Sequence, residues 1–305
     1  MAIKSMADQQ NDGAPEPLKG AGDTGEAHQK ERFTRRLTQD AGPRSMRPMR
    51  IATFNINGVK ARLPRLQEWL ADDPADLVCL QEIKSVDDNF PRAAFEDAGW
   101  HVATHGQKGF NGVAMLSRRP LDDVMTGLPG DDTDTQARYM EATLGGVRVA
   151  SIYLPNGNPV GTEKFDYKLA WMRRLTARAK ELLATERPVV LSGDFNVIPA
   201  PEDAHDPAAW ADDALYQPES RAAFRALVHL GFTDAIRLVQ PHGPAYTFWD
   251  YQRGAWQQDH GIRIDHHLLS PQAADRFVDA RVDRAPRGQE KASDHTPVIV
   301  TLADG

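Results

Sequence analysis

Short apolar runs, rich in β-branched residues and bounded by Gly, Asp and Pro, recur along most of this chain and set the limits on its fold. They lie at residues 50–56, 77–81, 112–117, 140–144, 147–154, 189–192, 263–269 and 298–302. Each is of strand length, which points to sheets rather than a helical bundle. Two amphipathic segments fall between them. Phe165, Leu169, Met172, Ala179 and Leu183 share one face of a predicted helix between Thr162 and Glu186, stopped by Pro188. A second helix is predicted to open at Pro218, to carry Phe224, Leu227 and Val228, and to end at Gly231. Gly145-Gly146 fits a tight hairpin turn between the runs at 140–144 and 147–154. Hairpins mixed with helical crossovers predict an α/β (α+β) sandwich, not a purely parallel doubly wound sheet.

Composition works by exclusion. Of 305 residues, 41% are apolar and 26% charged, the profile of a soluble globular protein, and no apolar stretch reaches bilayer-spanning length. The single cysteine, Cys79, lies in Asp76-Leu77-Val78-Cys79-Leu80 and reads as a packed strand residue. One cysteine precludes an internal disulfide, so a cytoplasmic protein without membrane association is expected. The net charge of −7 is not the basic footprint of a broad nucleic-acid grip. It leaves room for a site where a divalent cation offsets clustered carboxylates. Residues 1–48 are polar, with Phe33 their one aromatic, and a disordered extension is expected there. Residues 49–305 carry no low-complexity break and are expected to form one domain.

Chemistry gathers where the runs end. Gly193-Asp194-Phe195-Asn196 follows Val189-Val190-Leu191 and projects a carboxylate and a carboxamide, the oxygen ligands that Mg²⁺ takes. Alone, such a string is more often a loop whose Asp and Asn bond their own backbone. It is not alone. Asn55-Ile56-Asn57-Gly58, Gln81-Glu82, Tyr153-Leu154-Pro155-Asn156-Gly157, Arg263-Ile264-Asp265-His266-His267 and Ser293-Asp294-His295 also lie at or within predicted strands. Singly, each has a plain reading as an Asx turn, an exposed charge or a half-buried aromatic. Together, in this order, they describe side chains held by rigid supports around one site. No Walker loop, dinucleotide fingerprint, Gly-x-Ser-x-Gly elbow or zinc-type Cys/His spacing occurs.

With these segments the chain resembles the exonuclease III branch of the endonuclease/exonuclease/phosphatase superfamily. The likeness is carried by Phe54-Asn55-Ile56-Asn57-Gly58, Leu80-Gln81-Glu82, His105-Gly106-Gln107-Lys108-Gly109, Gly193-Asp194-Phe195-Asn196, Arg263-Ile264-Asp265 and Ser293-Asp294-His295-Thr296-Pro297. It runs further through Phe248-Trp249-Asp250-Tyr251 and covers the chain from residue 49 onward. His266-His267 departs from it, because the second position is usually more apolar.

The resemblance implies a four-layered α/β sandwich with two central mixed sheets. It also implies Mg²⁺-dependent hydrolysis, with Mn²⁺ as a possible substitute, of phosphodiesters in double-stranded DNA at abasic sites and 3′ ends, with 3′-phosphatase action as a possible further activity; a monomer is the simplest expectation. By position, Glu82 is the main metal carboxylate, with Asn55 and Asp294 near the same ion and Asp194, Asn196 and His295 in the wider metal set. Asp194 activates the attacking water, Asn196 binds the phosphate, and Tyr153 assists the phosphate or the leaving oxygen. His295, oriented by Asp265, supplies a second charged or acid–base group. Sequence leaves open which of Asp194 and His295 is the base, with Asp194 favoured. Lys108 and Arg138 are expected on DNA phosphates. Trp249 is a candidate to stack at an abasic gap, with packing in a loop as the competing reading. Two other functions fit less well: a phosphodiesterase acting on phospholipids, and a nucleic-acid-binding module without catalysis.

Overall fold

In the computed structural model, which describes residues 47–304, the apolar runs pair into two six-stranded sheets. The strands are β1 (Met49–Asn55), β2 (Leu77–Gln81), β3 (His101–His105), β4 (Val113–Ser117), β5 (Asp122–Thr126) and β6 (Tyr139–Leu144), followed by β7 (Val147–Tyr153), β8 (Val189–Asp194), β9 (Thr233–Asp234), β10 (Asp265–Leu269), β11 (Phe277–Val282) and β12 (Val298–Leu302). One sheet has the order β11-β12-β1-β2-β4-β3 and the other β5-β6-β7-β8-β10-β9. Each holds one parallel pair, β1 with β2 and β7 with β8, and all other pairings are antiparallel. The sheets are therefore mixed, as predicted.

Alternation along the strands builds four layers. Met115, Met140, Val149, Val190, Leu269 and Val300 fill the space between the sheets. Phe54, Leu80 and Leu116 face outward from the first sheet against Leu66, Trp69 and Phe95, from the helices Val59–Ala71 and Arg92–Glu96. Ile152, Leu191 and Leu268 do the same on the second sheet, under Trp171, Leu175, Phe224 and Leu227 of the helices Glu163–Leu183 and Pro218–Val228. Among the described residues no helix is long and apolar enough to cross a membrane.

The differences from the sequence reading have local causes. Strands β3, β5 and β11 are edge strands with half-exposed or exposed side chains, so their apolar signal is weak. The helix Val59–Ala71, not among the predicted helices, contains Pro64 and buries Val59, Leu66, Trp69 and Leu70. β10 begins at Asp265 because Arg263 is drawn aside, its backbone N–H donating to Asp203 O at 2.8 Å and its Nε to Asp203 Oδ1 at 2.6 Å. The long helix is rotated: Leu169 and Leu183 are half-buried, whereas Lys168, Trp171, Leu175 and Leu182 are buried. Residues 1–46 of the expected extension lie outside the described residues. Arg47 is already in place, donating to Asp76 Oδ1 at 2.6 Å.

Register turns the space between the sheets into a graded stack. Ile51, Leu77, Val149, Val190 and Leu269 make an apolar layer. Two residues along each strand, Thr53 faces Cys79, and Ser151, Ser192 and His267 stand abreast. Two residues further in the same direction come Asn55 beside Gln81, and Tyr153, Asp194 and Asp265 in one row. Polarity rises toward one end of the sandwich, and the candidate residues sit at that end.

Candidate active site

The parallel pairs deliver their C-terminal ends, and β10 its N-terminal end, to the same rim. Close strand approach there depends on Gly193: a Cβ at this position would lie 2.0 Å from Ile152 O on β7. Several residues beyond the strand ends hold positive φ, namely Asn57 at 46°, Glu82 at 49°, Lys84 at 51° and Asn196 at 47°. Such conformations are costly for non-glycine residues and persist only where surrounding bonds impose them.

Those bonds are visible. Asn55 Nδ2 donates to Glu82 Oε1 and to Asp194 Oδ2, both at 2.9 Å, and so ties the two sheets together. Its oxygen accepts from Asn57 N–H at 3.0 Å. Asn57 Nδ2 in turn donates to Asp294 Oδ1 at 3.0 Å, and Lys84 Nζ lies 2.9 Å from Glu82 Oε2. Asp194 Oδ1 accepts from Asn196 N–H at 2.9 Å, and Asn196 Nδ2 donates to Leu154 O at 2.9 Å. Behind them, His295 Nδ1 meets Asp265 Oδ2 at 2.9 Å, and Thr247 Oγ1 donates to the same oxygen at 2.6 Å. His295 Nε2 points the other way, 3.8 Å from Asp194 Oδ2.

Burial and charge set the protonation of this cluster. Burial raises Asp194 to about 7, against the opposing attraction of His295. Burial alone would strip the proton from His295, but Asp265 and then Asp194 outweigh it and push the ring up to about 10. Burial also works against ionised Glu82, yet Asn55 and Lys84 hold its carboxyl below the ordinary range. Tyr153, half-buried with desolvation and the charges of Glu82 and Asp194 acting on its hydroxyl, has that group pushed well up and stays protonated. Glu82, Asp194 and His295 each offer an atom within 4.8 Å of the others. Two ionisable carboxylate oxygens beside a neutral carboxamide suit a hard divalent cation.

The comparisons fit this geometry. The profile of the Endonuclease/Exonuclease/phosphatase family matches residues 52–295. The chain belongs to that family. It is 32% identical over 262 residues to exodeoxyribonuclease III of Haemophilus influenzae, covering 82% of this chain and 98% of that one. Among solved structures, a 3′ phosphatase, NExo, from Neisseria bound to product DNA hairpin superposes with a TM-score of 0.81 at 42% identity, over 83% of this chain and 99% of the other. An AP endonuclease from Archaeoglobus fulgidus gives 0.80 at 36%, over 84% and 100%.

Within this family member, the expected substrate residues fare unequally. Lys108 is exposed on the loop after β3, next to Phe110, which is 72% exposed. Arg138 is half-buried, its guanidinium 4.9 Å from the centre of the Tyr153 ring and its Nε donating to Gln136 Oε1. Trp249 needs correction. It is 0% exposed, packs edge-on against Trp256, and donates from Nε1 to Asp259 Oδ1 at 3.0 Å. No face of it is open to a base, so packing is its role.

Of the six positions expected around the metal, Glu82, Asp194 and His295 converge. Asn55 touches both carboxylates as a donor, Asn196 is turned to Leu154 O and Asn156, and Asp294 is held by Asn57 and Ser293.

Lys168 was missed. It is fully buried in the long helix, and its Nζ donates to Asn156 O at 3.0 Å and Asn196 O at 2.6 Å. Burial pushes this ammonium down to about 7, with Asp194 and Asp213 opposing. Gly157 lets it pass, since a Cβ there would lie 2.6 Å from Lys168 Cδ. The available signal was positional: Lys168 follows Phe165 by three on a helix face that continues with Trp171, Met172 and Leu175.

Proposed function

We propose that this protein is a divalent-metal-dependent DNA repair nuclease. It hydrolyses phosphodiesters of double-stranded DNA by 3′-to-5′ exonuclease action and by incision at abasic sites, and it also removes 3′ phosphates. The reading treats residues 49–305 as one catalytic domain acting as a cytoplasmic monomer. The observation that carries it is the convergence of Glu82, Asp194 and His295 within 4.8 Å, with Asp265 bonded behind the histidine.

The residues divide the work by chemistry. Mg²⁺, or Mn²⁺ in its place, would be held by Glu82 with Asp194 beside it, and would neutralise charge on the phosphate. His295, bonded to Asp265 through Nδ1 and held charged by it, would donate from Nε2 to a phosphate oxygen. Asp194, with a proton affinity near neutrality, is matched to take a proton from the attacking water. Asn196 keeps one amide proton for a phosphate oxygen after the other is engaged by Leu154 O. Tyr153, held protonated, can donate to the phosphate or the departing oxygen. Arg138, its guanidinium 4.9 Å from the centre of that ring, and the exposed Lys108 on the loop before β4 would contact phosphates of the bound duplex.

The test uses duplex DNA with one abasic-site analogue, and blunt duplex, in Mg²⁺ or EDTA, with Asp194→Asn alongside. Expected are incision 5′ to the lesion and resection from 3′ ends, lost in EDTA and in the variant. Cleavage of neither substrate, or full activity in Asp194→Asn, overturns the reading.

A further inference from the structure

Three buried polar atoms near the site have no nitrogen or oxygen partner in the protein: Asp265 Oδ1, His267 Nδ1 and Ser192 Oγ, the last with only the Cys79 thiol beside it. All three residues are 0% exposed. They share one face of one strand pair. Ser192 on β8 stands directly opposite His267 on β10, and Asp194 directly opposite Asp265, two residues along. Orphaned polar atoms are rare in interiors, and three on adjacent positions ask for a common cause.

The doubled histidine divides at this point. His266 faces outward, with its ring against Phe195 and Phe224 and Arg263 Nη1 at 3.0 Å from its Nδ1. His267 faces inward, where its Nε2 lies 2.9 Å from Val298 O on the opposite sheet. A carbonyl accepts only, so Nε2 carries the hydrogen and Nδ1 is left as a bare acceptor. Asp265 Oδ1 is likewise a bare acceptor, because Thr247 and His295 both approach the other oxygen. Ser192 brings one hydrogen to a group otherwise made of acceptors.

We propose that these three residues bind a buried water molecule, and that His267 is a positioning residue for the Asp265–His295 pair. The hydrogen count closes. The water donates one hydrogen to Asp265 Oδ1 and one to His267 Nδ1, and accepts the Ser192 hydroxyl hydrogen. Asp265 then has both oxygens bonded, which fixes its plane and so the direction in which it holds the His295 ring. Thr53, Cys79 and Ser151, from the same layer, make the surroundings polar: Ser151 Oγ accepts from Gln81 Nε2 at 3.3 Å. The inference about the water stands on geometry alone, whereas the positioning role rests on the nuclease reading.

Two measurements separate these. A crystal structure at about 1.5 Å resolution, without DNA, is expected to show a density peak at hydrogen-bond distance from all three atoms, roughly 2.6–3.2 Å. No peak there, or a direct Ser192–His267 hydrogen bond instead, overturns the water site whatever the enzyme does. The second measurement compares two variants on abasic duplex. His267→Gln keeps a donor for Val298 O and removes the acceptor at the Nδ1 position. His267→Asn keeps an acceptor there and loses the bond across the sheets. Positioning requires kcat to fall about 10-fold in His267→Gln with KM unchanged, and to stay within about twofold of wild type in His267→Asn. A purely structural histidine would give the reverse order, with His267→Asn the worse in both thermal stability and kcat. That order, or equal effects, overturns the positioning role. Ser192→Ala, a small change in volume, is expected to match His267→Gln; unchanged kcat in it would also count against the proposal.

Discussion

The pair formed by Asp265 and His295 supports the sharpest expectation, the behaviour of Asp265→Asn. Asp265 is the largest source of attraction for the charged His295 ring, at 2.9 Å in a buried site, and it overcomes a burial effect of opposite sign. At a pKa of about 10, nearly every ring is protonated at pH 7.5. Without that carboxylate, burial is opposed only by the weaker pulls of Asp194 and Asp294, and the ring falls toward its ordinary value of about 6.5. At that value about one ring in eleven is charged at pH 7.5. A cation beside Glu82 and Asp194 weakens the second attraction and leaves the first. The sign is fixed by the role: a ring that must donate loses function as pH rises through its pKa. Wild-type kcat/KM should therefore hold on the alkaline side until about 10, while the variant declines from near neutrality. The deficit is about 10-fold at pH 7.5 and widens about tenfold for each further pH unit until the wild type also declines. Lost orientation adds a factor that does not depend on pH. The assay is kcat/KM on abasic duplex from pH 6 to 10, with the His295 ring titrated by NMR in both proteins. A deficit constant across pH 7–9, or a variant ring that still titrates near 10, would exclude Asp265 as the source of the charge on His295.

Other expectations follow from the same geometry. Asp194→Asn should lose about 10²–10⁴-fold in kcat, and without metal it should melt a few degrees higher at pH 8. The sign comes from an acid raised to about 7: its favourable contribution to the fold is full below about 3.8 and is lost as pH rises through about 7. Lys168→Met should lower kcat about 10-fold with little change in DNA affinity, because it releases Asn196 and Asn156 backbone rather than a DNA contact; a selective loss of affinity would contradict this. Trp249→Phe should reduce stability by about 1–3 kcal/mol in urea melts and leave the kcat of the folded protein near wild type, whereas Lys108→Ala should weaken DNA binding and flatten its salt dependence with no change in stability. EDTA should abolish cleavage, with Mg²⁺ or Mn²⁺ restoring it and raising the melting temperature.

What could be read in the sequence was whatever repeats along one strand. The central strands β2, β4, β8 and β12 are buried on both faces, and their uninterrupted apolar runs located them within two residues. Polar residues breaking those runs marked the rim, so Asn55, Glu82, Tyr153, Asp194 and Asp265 stood out. The edge strands were lost because one-sided burial beside charged residues leaves little periodicity. Lys168 and Trp249 failed for a different reason. A lysine reads as a surface residue and a loop tryptophan reads equally as packing or as a stacking platform, and only tertiary contacts reveal a buried ammonium capping two carbonyls or an indole enclosed by Trp256 and Asp259. Chemistry at strand ends is local and legible; chemistry supplied across layers is not.

The stack between the sheets connects these observations. A site with four positive-φ residues, a buried carboxylate near neutrality and a buried histidine cation is locally unfavourable. It persists because the polar rim does not rest directly on the oily core. Thr53, Cys79, Ser151, Ser192 and His267 intervene, a layer that can hydrogen-bond upward while packing downward on Ile51, Leu77, Val149, Val190 and Leu269. An all-apolar middle layer would leave Gln81 Nε2 without the Ser151 hydroxyl that now accepts from it, and Asp265 Oδ1 facing hydrocarbon. The period of two that sets sheet packing therefore also sets the graded polarity on which the charged rim stands.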